Sequence, residues 1–270
     1  MPDPEMFTKP VVYAVPGMDA VDVRPNLVYH RLEDGTELTM DVYLPSGLAQ
    51  DERRPGVVLI HGGPVPVEAW PTVKDWGVFQ SYGRLLAASG LIGVTFNHRY
   101  VRMQQIDESQ ANIEAAFAFV RGQAGAFHLD ADRLAAWAFS GGGSFLGPLL
   151  TARPAWLRCL VSYYAILDLR PVKDRIPGGL GDEALQRFSP VACLPAQDYD
   201  GPPILIARAG KDQPWLNATV DDFIQRALAA NAPLDLLNHP QGQHGFDILD
   251  DDDRTREILA RTLDFLKARR

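Results

Sequence analysis

The stretch Ala138-Phe139-Ser140-Gly141-Gly142 decides the fold. An apolar run of strand length, residues 133–137, precedes it, and residues 143–150, which can begin a helix, follow it. A serine on such a sharp strand-to-helix turn exposes its hydroxyl at the edge of a sheet, with the next backbone N–H directed into the same space. Small residues are needed because the two backbones approach closely there. The pattern predicts a nucleophile elbow at Ser140.

The composition is that of an ordinary globular protein. The chain has 270 residues, of which 46% are apolar and 22% charged, so we expect a single domain over residues 1–270. The net charge of −8 provides no positive field, and we therefore expect no nucleic-acid partner. The two cysteines, Cys159 and Cys193, have no metal-ligand spacing and are too few for a disulfide framework.

The start of the chain bears on localisation. Residues 1–5 are acidic and interrupted by proline, without the basic and apolar regions of a secretory signal. No apolar run approaches the roughly 18 residues that a membrane-spanning helix needs. We expect a cytoplasmic protein with no membrane partner.

Strand and helix patterns alternate along most of the chain. Residues 26–32 and 37–44 predict an antiparallel hairpin around an Asp-Gly turn at residues 33–36. Several later runs are apolar on both faces, which is typical of a parallel sheet covered by helices on both sides. The predicted later strands are residues 56–60, 91–96, 133–137, 159–167, 203–209 and 234–238, and the predicted helices are residues 79–89, 106–123, 220–230 and 254–270.

Two segments interrupt this alternation. Residues 1–25 are rich in proline and predict an irregular surface segment, to which we assign no chemistry. Residues 168–201 contain many Pro and Gly residues and one short helical piece near Asp182–Phe188. Because a stretch of this length between strands is more often functional than not, we predict a small lid or cap there.

A serine hydroxyl needs a general base, and the base needs a group that fixes its tautomer. Asp212 follows the strand at residues 203–209, at the sheet edge where open α/β sheets bind ligands. His244 lies in a loop with flanking glycines after the last strand. Ser140, Asp212 and His244 are therefore the candidate catalytic residues.

Other residues compete for two of these roles. His239 follows the last strand directly and precedes a proline, whereas His244 lies in a longer loop that can reach across to the serine. Asp247 and the acidic run at residues 250–253 compete with Asp212. We interpret that run as a solvated start of the last helix, where acidic residues are favourable.

The motif at residues 61–64, His-Gly-Gly-Pro, predicts an oxyanion hole. Backbone N–H groups directed at a developing oxyanion contribute about 3 kcal/mol per donor. Gly141 supplies one such N–H. Since Pro64 has none, the second comes from Gly63 or Gly62, and we favour Gly63. We interpret His61 as a structural residue that orients this loop.

Aromatic residues are candidates for a substrate pocket. Aromatic side chains are more often core, so we expect one or two of them to touch substrate. From the candidates Trp70, Trp76, Phe145, Phe188 and Trp215 we select Trp70, Phe188 and Trp215 as substrate-binding residues.

Together these motifs resemble those of the α/β-hydrolase superfamily, and within it those of the dienelactone-hydrolase/prolyl-oligopeptidase-like serine esterases. The resemblance runs over residues 26–270. It rests on residues 40–45, 61–64, 130–133 leading into 138–142, 210–212 and 244–246. One departure is Ala138, which stands where the family usually has the first glycine of the elbow.

The resemblance implies an α/β-hydrolase fold with an eight-stranded, mostly parallel sheet. It implies hydrolysis of small-molecule carboxylic esters through an acyl-enzyme, without cofactor or metal. The alternatives are an aminopeptidase-like or amidase-like hydrolase and a non-catalytic ligand-binding hydrolase fold. The expected partner is a small-molecule ester, and the protein partner we allow for is a second copy of the chain, in a homodimer.

Overall fold

The computed structural model describes residues 7–268, so the predictions for residues 1–6 and 269–270 lie outside the described part. The strands are β1 (Asp22–Arg31), β2 (Glu37–Leu44), β3 (Arg54–Ile60), β4 (Ile92–Phe96), β5 (Leu129–Phe139), β6 (Leu157–Tyr163), β7 (Ile204–Ala209) and β8 (Leu234–His239). The α-helices are α1 (Gly77–Ala88), α2 (Ile106–Gly122), α3 (Leu146–Ala152), α4 (Asp182–Arg187), α5 (Pro190–Cys193), α6 (Pro214–Ala229), α7 (Phe246–Leu249) and α8 (Asp253–Ala268).

The strands form one sheet in the order β1-β2-β4-β3-β5-β6-β7-β8. Strand β2 runs antiparallel to both of its neighbours, and every other pairing is parallel. The predicted eight-stranded, mostly parallel sheet is confirmed. Parallel strands bring their carboxyl ends to one edge, which places the loops after β3, β5, β7 and β8 near one another.

Helices cover both faces of the sheet. Successive side chains of a strand point to opposite faces. In β3, Val57 and Leu59 belong to a core with helices α1 and α8, whereas Val58 and Ile60 belong to a core with α2, α3 and α6. Within residues 7–268, none of the helices has the length and apolar character needed to cross a membrane.

Strand β1 begins four residues earlier than predicted. The pairing with β2 shifts register between Arg24 and Leu27, and Asn26 has a φ of 55° there. Its N–H donates to Asp41 Oδ1 over 2.7 Å. Pro25 has no N–H to pair, so it fits this bulge of an edge strand. In the sequence analysis the same proline ends the predicted irregular segment. The Asp-Gly turn is confirmed.

Three other boundaries differ from the predictions by four residues or more. Strand β5 begins at Leu129, four residues before the predicted strand at residues 133–137. Strand β6 ends at Tyr163, because Tyr164 has a φ of 37° and turns the chain out of the sheet. Helix α6 begins at Pro214 and not at Val220. Proline is favourable in the first turn of a helix because its missing N–H would have no partner there.

The segment 168–201 contains α4, α5 and a 3-10 turn, so the predicted short helical piece is present. It contacts the amino-terminal part of α2, where Arg187 pairs with Asp107 over 2.9 Å. It also approaches α3, where a Cβ on Gly147 would overlap the carbonyl oxygen of Arg187. The segment is therefore held against the α2 and α3 side of the sheet.

Candidate active site

Ser140 lies on the turn between β5 and a 3-10 helix at Ser140–Phe145. Its φ is 51°, a left-handed conformation that is strained for a residue with a side chain. The turn is fixed by a hydrogen bond from the N–H of Ile166 to the carbonyl oxygen of Ser140, at 3.0 Å. The local conformation is that of the predicted elbow.

The glycines after the serine allow the turn to approach the loop at residues 61–64. A Cβ on Gly141 would overlap the carbonyl oxygen of Gly63, and one on Gly142 would lie 2.6 Å from the carbonyl oxygen of His61. Ala138, in contrast, is an ordinary buried residue of β5, paired with Ile60 and Ser162. The close approach therefore depends on the glycines that follow Ser140.

Ser140, His244 and Asp212 form two hydrogen bonds in series. Ser140 Oγ lies 2.9 Å from His244 Nε2, and His244 Nδ1 lies 2.6 Å from Asp212 Oδ2. The Asp212 side chain is only 2% exposed, and its Oδ1 accepts the N–H of Gln213 over 2.7 Å. The His244 side chain is 42% exposed, so it can reach both the serine and a bound molecule.

The loops that carry Asp212 and His244 are bonded to each other. The N–H of Lys211 donates to the carbonyl oxygen of Gly242 over 2.8 Å. The side-chain amide of Gln243 donates to Asp250 Oδ1 over 2.6 Å, and its backbone N–H donates to Asp250 Oδ2 over 2.9 Å. The first bond holds the histidine loop against the end of β7, and the other two connect it to the end of α7.

The competing residues are engaged elsewhere. His239 is buried, and its Nε2 lies 3.1 Å from Thr255 Oγ1. Asp252 accepts the N–H of Thr255 over 2.8 Å at the start of α8. The structure thus brings Asp212 and His244 to Ser140 and leaves His239 and the run at residues 250–253 outside the site.

Asp247 belongs to a buried network behind His244 that the sequence analysis did not find. Its two carboxyl oxygens accept hydrogen bonds from Tyr82 Oη at 2.6 Å and Tyr164 Oη at 2.7 Å. Burial raises the pKa of Asp247, and the two phenol donors oppose that shift. The Tyr164 ring lies 4.8 Å from the His244 ring, centroid to centroid. His244 therefore packs against an aromatic ring that Asp247 holds in place.

The loop at residues 61–64 is supported by two stacked histidines. The His61 and His98 rings are 3.7 Å apart and nearly parallel, at 16°. His61 Nδ1–H donates to the carbonyl oxygen of Gly62 over 2.6 Å, and His98 Nε2–H donates to that of His61 over 3.2 Å. Burial lowers the pKa of His61 to about 4 and that of His98 well below its usual value. Both rings are consequently neutral near pH 7.

The backbone N–H groups of Gly62 and Gly63 donate to no residue within the described ranges. Gly62 lies beside Ser140, since a Cβ there would be 2.9 Å from Ser140 Cβ. The Gly63-Pro64 peptide bond is cis. Unpaired N–H donors next to the serine are the chemistry that an oxyanion requires.

A cavity of about 370 Å³ opens beside Ser140 and His244. Its lining is mostly apolar, and no Asp, Glu, Lys or Arg is among the described residues that form it. The aromatic part of the wall consists of Phe7, Trp76, Phe79, Phe139 and Tyr164. The cavity suits an uncharged apolar group.

The three residues predicted to bind substrate are not among those that line this cavity. Trp70 is buried in the core, with the Arg99 guanidinium 5.9 Å from its ring. Phe188 is fully buried, and Trp215 lies near Arg175, 5.8 Å from its ring centroid. Trp76, which was among the wider candidates, lines the cavity in their place.

No described group of three or more His, Cys, Asp or Glu side chains is arranged to hold a metal ion. The polar side chains that face the cavity are those of His61, Ser140, Tyr164 and His244. Because the Tyr164 phenol donates to Asp247 and His61 is buried, the groups available for chemistry in the cavity are the Ser140 hydroxyl and the His244 imidazole.

Comparison with known proteins supports the fold. The family model BD-FAE matches residues 40–152, a range that contains Gly62, Gly63 and Ser140. Esterase Est2 of the planctomycete Thermogutta terrifontis, with butyrate bound, matches with 19% identity and a TM-score of 0.72 over 93% of this chain and 96% of that chain. No curated protein matches the chain.

Two further structures of that esterase match equally well. The enzyme phosphoramylated by tabun has 19% identity and a TM-score of 0.71 over 94% of both chains. The enzyme phosphonylated by sarin has 19% identity and a TM-score of 0.71 over 93% of this chain and 94% of that chain. The chain therefore has the α/β-hydrolase fold that the sequence predicts.

Proposed function

We propose that this protein is a serine hydrolase that cleaves carboxylic esters of small molecules through Ser140, His244 and Asp212. The observation that carries the proposal is the pair of hydrogen bonds in series, 2.9 Å from Ser140 Oγ to His244 Nε2 and 2.6 Å from His244 Nδ1 to Asp212 Oδ2. A nucleophile, a base and an orienting acid at such distances form the arrangement that acyl transfer needs.

In the first half of the reaction, Ser140 Oγ forms a bond to the ester carbonyl carbon while its proton passes to His244 Nε2. The N–H of Gly141 and that of Gly63 or Gly62 stabilise the resulting oxyanion. The bond from this carbon to the alcohol oxygen then breaks, and His244 gives its proton to the departing alcohol. An acyl group remains on Ser140.

In the second half, water gives a proton to His244 Nε2 and its oxygen attacks the acyl carbon. The bond to Ser140 Oγ breaks, Oγ regains the proton, and the carboxylic acid leaves. Asp212 holds the proton of His244 on Nδ1 in the resting state, which leaves Nε2 free to accept. Its carboxylate also stabilises the imidazolium that forms in each half.

The lining of the cavity favours an ester over the substrate of an aminopeptidase. An aminopeptidase must bind a substrate ammonium group, and no carboxylate is among the described residues that line the cavity. The structural neighbour Est2 has been seen with butyrate and with propionate bound, and phosphonylated by sarin. These observations support a small ester with an apolar acyl group.

Hydrolysis of 4-nitrophenyl acetate and butyrate tests the proposal. We expect Ser140→Ala to abolish hydrolysis, and a fluorophosphonate to label the parent protein at Ser140, located by peptide mass spectrometry. Ser144→Ala is the matched control, because Ser144 is fully buried on the adjoining turn. Equal rates for Ser140→Ala and the parent would contradict the proposal.

A further inference from the structure

We propose that residues 7–13, here called the N-terminal strap, form one wall of the active-site cavity. Phe7 then limits the size of the apolar group that the cavity accepts. This inference rests on the proposed esterase function and assigns a specificity-determining residue to it. The sequence pattern gives no chemistry to this segment, yet Phe7 lines the cavity together with Ser140 and His244.

Two backbone hydrogen bonds fix the strap to elements of the site. The N–H of Val11 donates to Ser81 Oγ over 2.8 Å, and that of Val12 donates to the carbonyl oxygen of Asp247 over 2.8 Å. Ser81 lies on α1, and Asp247 lies on α7, three residues after His244. Both helices contribute residues to the cavity lining. The strap is therefore bonded to the same helices that form the neighbouring walls.

Gly77, the first residue of α1, lies close to the backbone of the strap. A Cβ on Gly77 would overlap the carbonyl oxygen of Thr8 and lie 2.8 Å from that of Lys9. Its φ is not in the left-handed region, so the close approach and not the backbone conformation is what requires glycine here. The strap and the amino terminus of α1 are in direct backbone contact.

Phe7 completes an aromatic corner of the cavity with Trp76. Their ring centroids are 4.7 Å apart at 62°, an edge-to-face contact, and Trp76 immediately precedes α1. Since this wall carries no charge, the group that it contacts is an uncharged alkyl or aryl group of the ester. That group is either the acyl or the alcohol part.

Two series of substrates show whether the acyl or the alcohol part of the ester lies against Phe7. One series is 4-nitrophenyl esters from acetate to decanoate, and the other is acetates of alcohols from ethanol to octanol. Phe7→Ala enlarges the cavity, and Phe7→Trp reduces it. For each series we compare kcat/KM for the longest substrate with kcat/KM for the shortest. We expect Phe7→Ala to raise this ratio roughly tenfold and Phe7→Trp to lower it. The series in which the ratio changes identifies the part bound.

The matched control is Phe119→Ala. Phe119 is also a partly exposed phenylalanine in an aromatic pair, with Phe127, and it does not line the cavity. We expect this variant to keep the parental preference. Gly77→Ala provides an independent change, because it displaces the strap without altering Phe7, and it should shift the preference in the direction of Phe7→Ala.

The inference is overturned if Phe7→Ala and Phe7→Trp both keep the parental preference in both series. Should Phe7→Ala not fold, Phe7→Leu and Phe7→Trp give the same comparison. Labelling of the parent by a fluorophosphonate separates the two hypotheses. Labelling at Ser140 with unchanged preferences rejects the role of Phe7 alone, whereas a parent that is neither labelled nor active rejects the esterase function and this inference with it.

Discussion

Two groups of buried polar side chains flank Ser140, one behind His244 and one behind Gly62 and Gly63. Behind His244, each carboxyl oxygen of Asp247 accepts a hydrogen bond from a phenol. Behind the glycines, the two histidine rings are stacked, and His61 Nε2 and His98 Nδ1 have no hydrogen-bond partner in residues 7–268. We call these the base side and the oxyanion side.

The two sides are stabilised by different kinds of interaction. The base side depends on directional hydrogen bonds around a buried carboxyl, and such bonds are sensitive to the loss of one atom. The oxyanion side depends on stacked rings and on glycine backbones that nearly touch, and it should be sensitive to added volume. Changes of charge and changes of size should therefore affect the two sides differently.

The largest expected effect is the difference in kcat between two variants of the base side, Asp212→Asn and Asp247→Asn. Asp212→Asn should lower kcat roughly 10⁴-fold with little change in KM, because an amide can favour the wrong tautomer of His244. Asp247→Asn, which has no direct bond to His244, should lower kcat no more than about tenfold. Steady-state kinetics on 4-nitrophenyl butyrate measures both. A larger loss for Asp247→Asn would reverse the assignment of the acid.

On the oxyanion side, the corresponding change is one of volume. Gly141→Ala places a methyl group against the carbonyl oxygen of Gly63, so the two loops must separate. We expect kcat to fall roughly 10² to 10³-fold, the loss associated with one oxyanion donor. Gly122→Ala is the control, because a Cβ on Gly122 meets no atom within 4 Å. Equal activity of the two variants would show that this close approach is not required.

The pH dependence of stability should have opposite signs on the two sides. Folding lowers the pKa of His61 from 6.5 to about 4, so between these values the unfolded chain binds more protons. Stability is then lost as the pH falls from about 6.5 towards 4, by an amount on the order of 3 kcal/mol. Burial raises the pKa of Asp247, so the folded state binds its proton more readily, and this group lowers stability as the pH rises.

Urea unfolding at several pH values between about 7 and 4 measures this contrast. His61→Phe should flatten the loss of stability on acidification relative to the parent, and Asp247→Asn should steepen it. The comparison of slopes is insensitive to any constant loss of stability in a variant. Identical slopes in the parent and His61→Phe would exclude a neutral buried His61.

The positions of Ser140, Asp212 and His244 could be predicted because they follow from chain order and strand ends. Each follows a strand whose apolar run is visible in the sequence, and parallel strands bring their carboxyl ends to one edge. The same reasoning predicts the positions of Gly62 and Gly63, because their loop follows β3. Local patterns therefore sufficed to locate the three side chains that the structure brings together.

The walls of the cavity could not be predicted in this way. Trp70 and Trp76 are six residues apart and chemically alike, and only the path of the chain around the 3-10 helix at Trp70–Asp75 separates a core residue from a lining residue. Phe7 reaches the cavity through contacts with residues about seventy positions later. The bonds from Tyr82 and Tyr164 to Asp247 span 165 and 83 residues. Such contacts are set by tertiary packing, which periodicity does not encode.

The smallest expected effect distinguishes positioning from stability within the base side. Tyr164→Phe and Tyr82→Phe each remove one phenol donor from Asp247, so each should lower the free energy of unfolding by about 1–3 kcal/mol. Only the Tyr164 ring packs against His244, whereas the Tyr82 ring packs against Trp137 and Phe139. Tyr164→Phe should therefore also lower kcat several-fold, while Tyr82→Phe should leave kcat within about twofold of the parent. Equal kcat losses in the two variants would contradict a positioning role for the Tyr164 ring, because a ring without contact to His244 would then affect the base as much as the ring beside it.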